Sequence, residues 1–357
     1  MSRFRRKPSW RSYVLGRNEI AASHLPAHND WKRLLPGLTV SLVCLVVIFY
    51  LIDLDKFFQA MRQAKLWLLV FGASFSIPWL LVRGTVWHTL LQRKASYRDT
   101  FFTINEGYLL NNLLPFRLGE LGRAYLLGRK AGLSFWQVIS TILVERALDL
   151  VLASGLFLST LPFVVGVTWA REAATIMAVV VVVGLVALYL MARNQALVLK
   201  LFDRLGQRWK LARILNGGQV HPFLDGLTVL TDTRRFLIAV GLMIFDWSIN
   251  IFQYYLMLLA FFPSAKPLWA FFALGSAALG IAAPSSPGSL GVFEAVLVGA
   301  LAVFGVEPSG AAAFAIAMHF TMYASTGIFG VYALVVDGLS LSGLYRELGK
   351  IKNQGSS

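Results

Sequence analysis

Long apolar runs alternate with short polar stretches along this chain. The runs that approach or exceed the ~20 residues a helix needs to cross a membrane are 34–52, 66–91, 134–165, 171–192, 236–262 and 309–337. Two shorter apolar segments, 267–283 and 289–305, flank a stretch rich in proline, glycine and serine. A similar polar stretch at 111–123 interrupts the first half. The pattern predicts an all-α polytopic membrane protein with about six full transmembrane helices plus two broken helical hairpins.

The composition supports a membrane location, and the high positive charge lies in a few segments of the chain. The 357 residues are 57% hydrophobic and 14% charged, whereas soluble domains average about 25% charged residues. The net charge of +15 is concentrated at the N-terminus, at 193–235 and in the C-terminal tail. By the positive-inside rule, both termini are predicted in the cytoplasm, with the chain in the cell inner (plasma) membrane. We therefore expect no nucleic-acid partner.

The same pattern divides the chain into three regions. We predict a basic cytoplasmic segment at 1–33, a single transmembrane domain at 34–337 and a cytoplasmic tail at 338–357. The first apolar run follows a long basic segment and lacks a small-residue cleavage pattern, so we expect it to remain as a spanning helix. Within the domain, the basic loop at 193–235 carries apolar residues at helical spacing, namely Val198, Phe202, Leu205 and Trp209. This spacing predicts a helix in the cytoplasmic lipid interface, either a connector or a regulatory element.

The two polar stretches have similar short motifs. The first break reads NNLLPFRLGELGR at 111–123, and the second reads GIAAPSSPGSLGVFEA at 280–295. P-F-R-L-G in the first corresponds to P-G-S-L-G in the second, and each is followed by a glutamate, Glu120 or Glu294. Because the chain enters the two breaks from opposite sides, the similarity predicts re-entrant hairpins in an inverted repeat. The alternative is a pair of tight turns between full-length helices at the membrane surface.

Both breaks have the chemistry of an anion site. Each is expected to start a helix, whose free N–H groups and positive dipole end favour a phosphate. Arg117 and Arg123 could form bidentate hydrogen bonds with it, Glu120 could orient an arginine, and Ser285 adds a hydroxyl donor. The residues that we predict to bind a lipid headgroup are Asn111, Asn112, Arg117, Glu120, Arg123, Ser286, Ser289 and Glu294. Alternatively, the arginines only anchor a short cytoplasmic loop.

Charged residues also occur inside apolar runs. Glu145 and Asp149 lie four residues apart and share a helix face, and Arg146 precedes Asp149 by three residues. In the second half, Asp246 and Asn250 share a face, and a histidine interrupts the last run. We predict an intramembrane charge network of Glu145, Arg146, Asp149, Asp246 and His319. A structural ion pair and a role in substrate handling both fit, and the histidine fits a packing residue better than a proton relay.

Several signals of catalysis are missing. The sequence contains no G-x-x-x-x-G-K-[ST], HExxH or G-x-S-x-G motif. Its single cysteine, Cys44, excludes an intramolecular disulfide, and its five histidines lack metal-ligand spacing. We therefore expect no metal, no cofactor and no enzymatic activity.

Three motifs together resemble a known family. N-x-x-x-P-x-R-x-G-E-x-x-R from Asn111, V-E-R-x-x-D from Val144 and P-G-S-L-G-V-F-E from Pro287 are similar to the lysylphosphatidylglycerol synthase transmembrane region, a flippase-like family. The resemblance covers roughly 35–337. It implies translocation of lipid and a headgroup pocket lined or supported by Arg117, Glu120, Arg123, Glu145, Arg146, Asp149 and Glu294. The aminoacyl-transferase domain of full-length synthases is missing, so we do not expect lipid lysylation.

These observations lead to one functional expectation and two alternatives. We expect a lipid translocase that moves an anionic phospholipid or a polyprenyl-phosphate-linked lipid between leaflets. The alternatives are a membrane enzyme or enzyme partner acting on a lipid phosphate, and a non-transporting scaffold for a lipid-modifying complex. Membrane lipids are the expected partners, a separately encoded lipid-modifying enzyme is a candidate, and the sequence leaves the oligomeric state open.

Overall fold

The computed structural model describes residues 31–114, 118–164, 168–208, 219–282 and 285–339, which contain helices and no strand. The first half comprises α1 Trp31–Leu51, α2 Leu54–Gln63, α3 Leu66–Ser74, α4 Ser76–Leu90, α5 Tyr97–Leu113, α6 Leu118–Ala131 and α7 Phe135–Thr160. The second half comprises α8 Thr168–Arg193, α9 Gln195–Arg208, α10 Val220–Leu227, α11 Thr233–Phe261, α12 Pro267–Gly280, α13 Val292–Ala302 and α14 Pro308–Val336. The prediction of an all-α membrane protein is confirmed.

Four helical stretches are long and apolar enough to cross a membrane. They are Leu66–Leu90, which joins α3 to α4, Thr175–Arg193, Thr233–Phe261 and Pro308–Val336. Helix α7 has 26 residues, or about 39 Å at 1.5 Å per residue, but it carries Glu145, Arg146 and Asp149. The predicted number of six full spans therefore stays a prediction.

The connection at 53–65 contains a helix that the hydropathy pattern did not predict. The side chain of Asp53 caps α2 by accepting the backbone N–H groups of Asp55 and Lys56, at 3.0 and 3.3 Å. This cap provides acceptors for N–H groups that a ten-residue helix would otherwise leave without partners. No residue of α2 is buried, and its exposed apolar side chains include Leu54, Phe58 and Met61.

Each break joins two short helices that contact each other, α5 with α6 and α12 with α13. The longest of the four, α5, has 17 residues and measures about 26 Å, less than a ~30 Å hydrocarbon core. All four helices are therefore shorter than the ~20 residues of a typical transmembrane helix. The re-entrant arrangement and the inverted repeat nevertheless stay predictions.

The hairpins are packed among the long helices. Helix α14 contacts α5 and α13, α11 contacts α4 and α12, and α7 contacts both α6 and α12. Each hairpin therefore touches helices of the other half. Helix α8 lies outside this arrangement, contacts mainly α7 and α10, and exposes a row of valines that suits lipid, including Val179, Val180 and Val183.

Some predictions fall on residues outside the described ranges. These are Arg117, Trp209, the basic segment up to residue 30 and the tail from residue 340. The predicted amphipathic helix of the 193–235 loop corresponds to α9, in which Val198 is buried while Leu197 and Leu201 are exposed. Its placement in the lipid interface is still a prediction.

Candidate functional site

A cavity of about 520 Å³ lies between the two halves of the chain. This volume is in the range of small-molecule sites, which run from about 300 to about 1,000 Å³. Helices α4, α5, α6, α7, α11, α12 and α14 all contribute to its wall. Both breaks contribute too, although they lie more than a hundred residues apart in sequence.

The structure brings most of the predicted headgroup residues together at this cavity. The first break contributes Asn111, Asn112 and Glu120, and the second contributes Ser286 and Ser289. Two others, Arg123 and Glu294, do not line the cavity. The remaining one, Arg117, lies outside the described residues.

The cavity-facing part of the charge network is centred on Arg146. Its guanidinium contacts Asp149 at 3.2 Å and Glu145 at 3.0 Å, and its Nε lies 3.4 Å from Glu120. The i,i+3 pair with Asp149 follows the helical spacing noted in the sequence. The Arg146 side chain is 27% exposed, so part of it can reach a ligand in the cavity.

Arg83, which sequence reasoning missed, also lines the cavity and joins three helices. Its guanidinium lies 3.0 Å from Asp149 and 3.5 Å from Glu145 on α7, and 2.7 Å from Asp246 on α11. The indole N–H of Trp247 donates a further hydrogen bond to Asp149 at 3.1 Å. An arginine inside the apolar run at 66–91 was the available signal, since ionisable groups within a span are costly and need partners.

Arg123 is buried, with 1% of its surface exposed. One nitrogen donates to Glu145 at 2.7 Å, and the guanidinium carbon lies 4.1 Å from the ring centre of Trp87. Such a cation–π contact is strongest when it is removed from water. The side chain therefore attaches α6 to α4 and α7, and its predicted headgroup role stays untested.

The network carries no excess positive charge within the described residues. Three guanidinium groups, from Arg83, Arg123 and Arg146, meet four carboxyl groups, from Glu120, Glu145, Asp149 and Asp246. Pairing of this kind lets charges persist in an apolar bundle. A phosphate in the cavity would therefore also depend on neutral donors.

The first break is held by its asparagines. Asn111 accepts the backbone N–H of Gly119 at 2.9 Å, and Asn112 donates to the hydroxyl of Thr326 on α14 at 2.9 Å. Gly119 lies so close to the carbonyl of Gly107 that a Cβ there would overlap it. This close approach explains why a glycine occupies this position in the first turn of α6.

The second break is held by Glu294 and His319. Glu294 accepts the backbone N–H of Gly291 at 2.8 Å and its other oxygen pairs with Nδ1 of His319. The opposite ring nitrogen, Nε2, lies 3.1 Å from the carbonyl oxygen of Gly288. His319 therefore forms a separate cluster with Glu294 and does not contact the network around Arg146.

The backbone of the second break is unusual where it meets the cavity. Ser289 has a φ of 60°, a left-handed conformation that few side chains adopt, and Gly288 and Gly291 have φ of 62° and 81°. Strained positions of this kind cluster at binding sites, because surrounding contacts must hold them in place. Here Ser41 on α1 contributes by accepting the backbone N–H of Ser286 at 3.0 Å.

The rest of the wall is largely apolar, with one polar exception. Leu150, Leu274, Met318 and Met322 line the cavity and could contact an apolar part of a ligand. Asn250 on α11 also lines it, and its amide forms no hydrogen bond with any described residue. This amide is free to bind a ligand.

Comparison with known proteins identifies the family. Residues 34–330 match the family described as the lysylphosphatidylglycerol synthase TM region. The chain belongs to this family. The predicted resemblance is confirmed over the transmembrane part, while no solved structure matches the chain.

Curated relatives of this family member are distant. It is 22% identical over 354 residues to glycosyltransferase AglD of Haloferax volcanii, covering 89% of this chain and 56% of that protein. The chain thus spans little more than half of that relative. It is 25% identical to a UPF0104 membrane protein of Methanothermobacter thermautotrophicus, covering 65% of this chain and 72% of that one. A UPF0104 membrane protein of Methanocaldococcus jannaschii is 29% identical, covering 62% and 91%.

Proposed function

We propose that this protein is a translocase that moves the headgroup of an anionic phospholipid or a polyprenyl-phosphate-linked lipid between leaflets of the inner membrane. One observation carries the proposal: the two breaks, one in each half of the chain, line the same cavity. Transporters typically form their sites at interrupted helices between repeats, since irregular backbone needs a protein or water environment at that depth.

The cavity wall has polar and apolar parts, which suit the headgroup and the apolar chain of a lipid. Arg146, Asn112, Asn250 and Ser289 offer donors to a phosphate or its neighbouring oxygens. The apolar residues of the wall could contact the first part of an acyl or prenyl chain, while the rest remains in the bilayer. Because the sequence has no ATP-binding motif of the P-loop type, movement would run downhill or with an ion gradient.

An enzyme, or the partner of an enzyme, is the second candidate. The relative named as a glycosyltransferase supports it, and the same donors could hold a lipid phosphate during a reaction. Little more than half of that relative is covered, so its activity need not lie in the shared part. A non-transporting scaffold is the third candidate, in which the cavity residues would be dispensable.

Vesicles containing the purified protein distinguish these candidates. The probes are fluorescently labelled phosphatidylglycerol and labelled polyprenyl phosphate, whose leaflet exchange is followed with a membrane-impermeant quencher. We expect exchange of one probe by the wild type and a loss of about 10- to 100-fold in Asn250→Ala, because one hydrogen bond to a charged group is worth about 1.5–3 kcal/mol.

Asn194→Ala is the matched control. Asn194 is exposed and lies outside the cavity wall. Among the described residues its side-chain amide bonds only to the carbonyl of Leu190, at 3.1 Å. The control should retain exchange. A chemically altered probe would favour the enzyme, and equal exchange in both variants would overturn the proposed binding role of the cavity.

A further inference from the structure

The ring of His319 is enclosed by acceptors. The side chain is 4% exposed, with the carboxyl group of Glu294 at Nδ1 and the carbonyl oxygen of Gly288 at Nε2. Phe293 and Tyr323 lie on the ring, with centroid distances of 4.6 and 4.4 Å. Both nitrogens therefore face an oxygen, and a carbonyl oxygen can only accept.

Counting protons shows what this arrangement requires. A neutral histidine carries one N–H, so it can donate to Gly288 or to the Glu294 carboxylate, but not to both. Both hydrogen bonds form together in two ways: imidazolium with carboxylate, or neutral imidazole with carboxylic acid. The two forms contain the same number of protons. The observed geometry therefore fits a Glu294–His319 pair that carries one proton more than a neutral histidine and an ionised glutamate carry together.

Loss of that proton would release the second break. The proton would leave past Gly288 and Phe293, which contact the ring and line the cavity. One of the two hydrogen bonds would then be replaced by two lone pairs facing each other. A buried acceptor without a donor destabilises the arrangement that contains it. Because Gly288 and Ser289 form part of the cavity wall, this destabilisation would be relieved by a change of the wall itself.

Few other charges compete for the proton. Tyr323 is the other titratable side chain on the ring, and α13 carries only Glu294. Helix α12 has no titratable residue, and in the described side chains of α1 Cys44 and Tyr50 form no hydrogen bond with the pair. The Arg146 network bonds to other partners.

Helix α5 packs on α14 and on the second break, and it carries Glu106 and Tyr108. Glu106 pairs with Lys130 at 2.8 Å, and Tyr108 stacks on Trp79. Neither side chain bonds to Glu294 or His319.

We infer that Glu294 and His319 bind one exchangeable proton that locks the second break, and that this proton is the coupling ion of lipid movement. The coupling half of the inference rests on the proposed function, whereas the locking half does not. A proton released to one side and taken up from the other would alternately free and lock the wall formed by Gly288 and Ser289.

Glu294→Gln separates a proton site from a structural contact. The amide oxygen of glutamine can accept the N–H of Gly291, its NH₂ can donate to Nδ1, and Nε2–H can donate to Gly288. All three hydrogen bonds are retained without an exchangeable proton. The variant should therefore stay permanently in the locked form.

The locking half is tested by thiol labelling of the full-length protein in vesicles. Ser289→Cys is introduced into a Cys44→Ala background, with and without Glu294→Gln, and maleimide labelling is measured from about pH 5 to about pH 8. The labelling rate without Glu294→Gln is divided by the rate with it, and this ratio removes the pH dependence of the thiol itself. We expect the ratio to rise severalfold with pH, and a constant ratio would overturn the inference.

The coupling half is tested by imposing a pH gradient during lipid exchange on vesicles that contain either the wild type or Glu294→Gln. The wild type should move the labelled probe against its gradient, and Glu294→Gln should lose this response. Exchange with a constant labelling ratio would refute the proton lock and keep the translocase. A rising ratio without any lipid exchange would refute the translocase and keep the lock.

Discussion

The two breaks look alike in sequence but are held in place by different contacts. The first is attached to a charge network, because Arg123 near its end pairs with Glu145 on α7 and packs on Trp87 of α4. The second is attached by an ionisable pair, Glu294 with His319, which contacts the backbone of the break itself. Beside the hydrogen bonds of Asn111, Asn112 and Ser41, the first break therefore depends on a buried ion pair and the second on a carboxyl–imidazole contact.

The two glutamates show the difference most clearly. Glu120 is turned to the cavity and pairs with Arg146, with 22% of its side chain exposed. Glu294 is turned to the start of its own helix and to His319. The glutamates that follow the two similar motifs thus differ, since one faces the cavity and the other positions the backbone of its own break.

The largest effect is expected from removing the centre of the network. Arg83→Ala would leave Asp149, Glu145 and Asp246 without a shared cation, and breaking a buried ion pair costs about 3–5 kcal/mol. We expect the free energy of unfolding in detergent to fall by that amount, measured by thermal or denaturant unfolding.

Arg98→Ala is the matched control for this loss. Arg98 is exposed and lies 5.5 Å from the ring centre of Phe102, a contact worth about 0.5–1 kcal/mol. Equal destabilisation by the two substitutions would show that the network does not hold the first break.

A smaller effect is expected from separating the helices at the first break. In Gly119→Ala the new Cβ would overlap the carbonyl of Gly107, and overpacking of this kind costs about 1–3 kcal/mol. Gly155→Ala, on α7 with open space around its Cβ position, should be neutral or stabilising by up to about 1 kcal/mol. The comparison of their unfolding midpoints checks the close approach, which is absent if Gly119→Ala is the more stable of the two.

The smallest effect on stability, and the sharpest contrast between the breaks, is expected at the two glutamates. Glu294→Ala removes a helix cap and the partner of His319, so we expect a loss of about 1–2 kcal/mol. Glu120→Ala removes a partly solvated ion pair and should cost less than about 1 kcal/mol while reducing lipid exchange. Unfolding and exchange assays on both variants measure this, and a reversed order of stability would contradict the assigned roles.

Much of the architecture could be predicted because its signals are local. Apolar runs set the helices, and proline, glycine and asparagine set the breaks, since these residues act through their own backbone. The pairing of Arg146 with Asp149 followed from helical spacing alone. Hydropathy did not predict helix α2, because this helix is short and amphipathic and has no long apolar run like those of the spanning helices.

The site itself could be predicted only in part. The asparagines, serines and Glu120 that line the cavity belong to the breaks. They could be predicted because they are polar residues between apolar runs. Arg83 could not, because its importance comes from the carboxyl groups around it. For Asn250 the sequence indicated only a helix face shared with Asp246. Nothing near Glu294 in sequence indicates that it meets a histidine 25 residues later.

The sequence by itself determined an all-helical membrane protein of a recognisable family, with two polar breaks and charges inside its apolar runs. Only the tertiary structure decided that both breaks face one cavity, and which charge meets which. Arg83 and Asp149, for example, are 66 residues apart and adjacent in space. Helix formation and breaking depend on neighbouring residues, whereas the pairing of buried charges depends on which helices pack together, and that is a property of the whole fold.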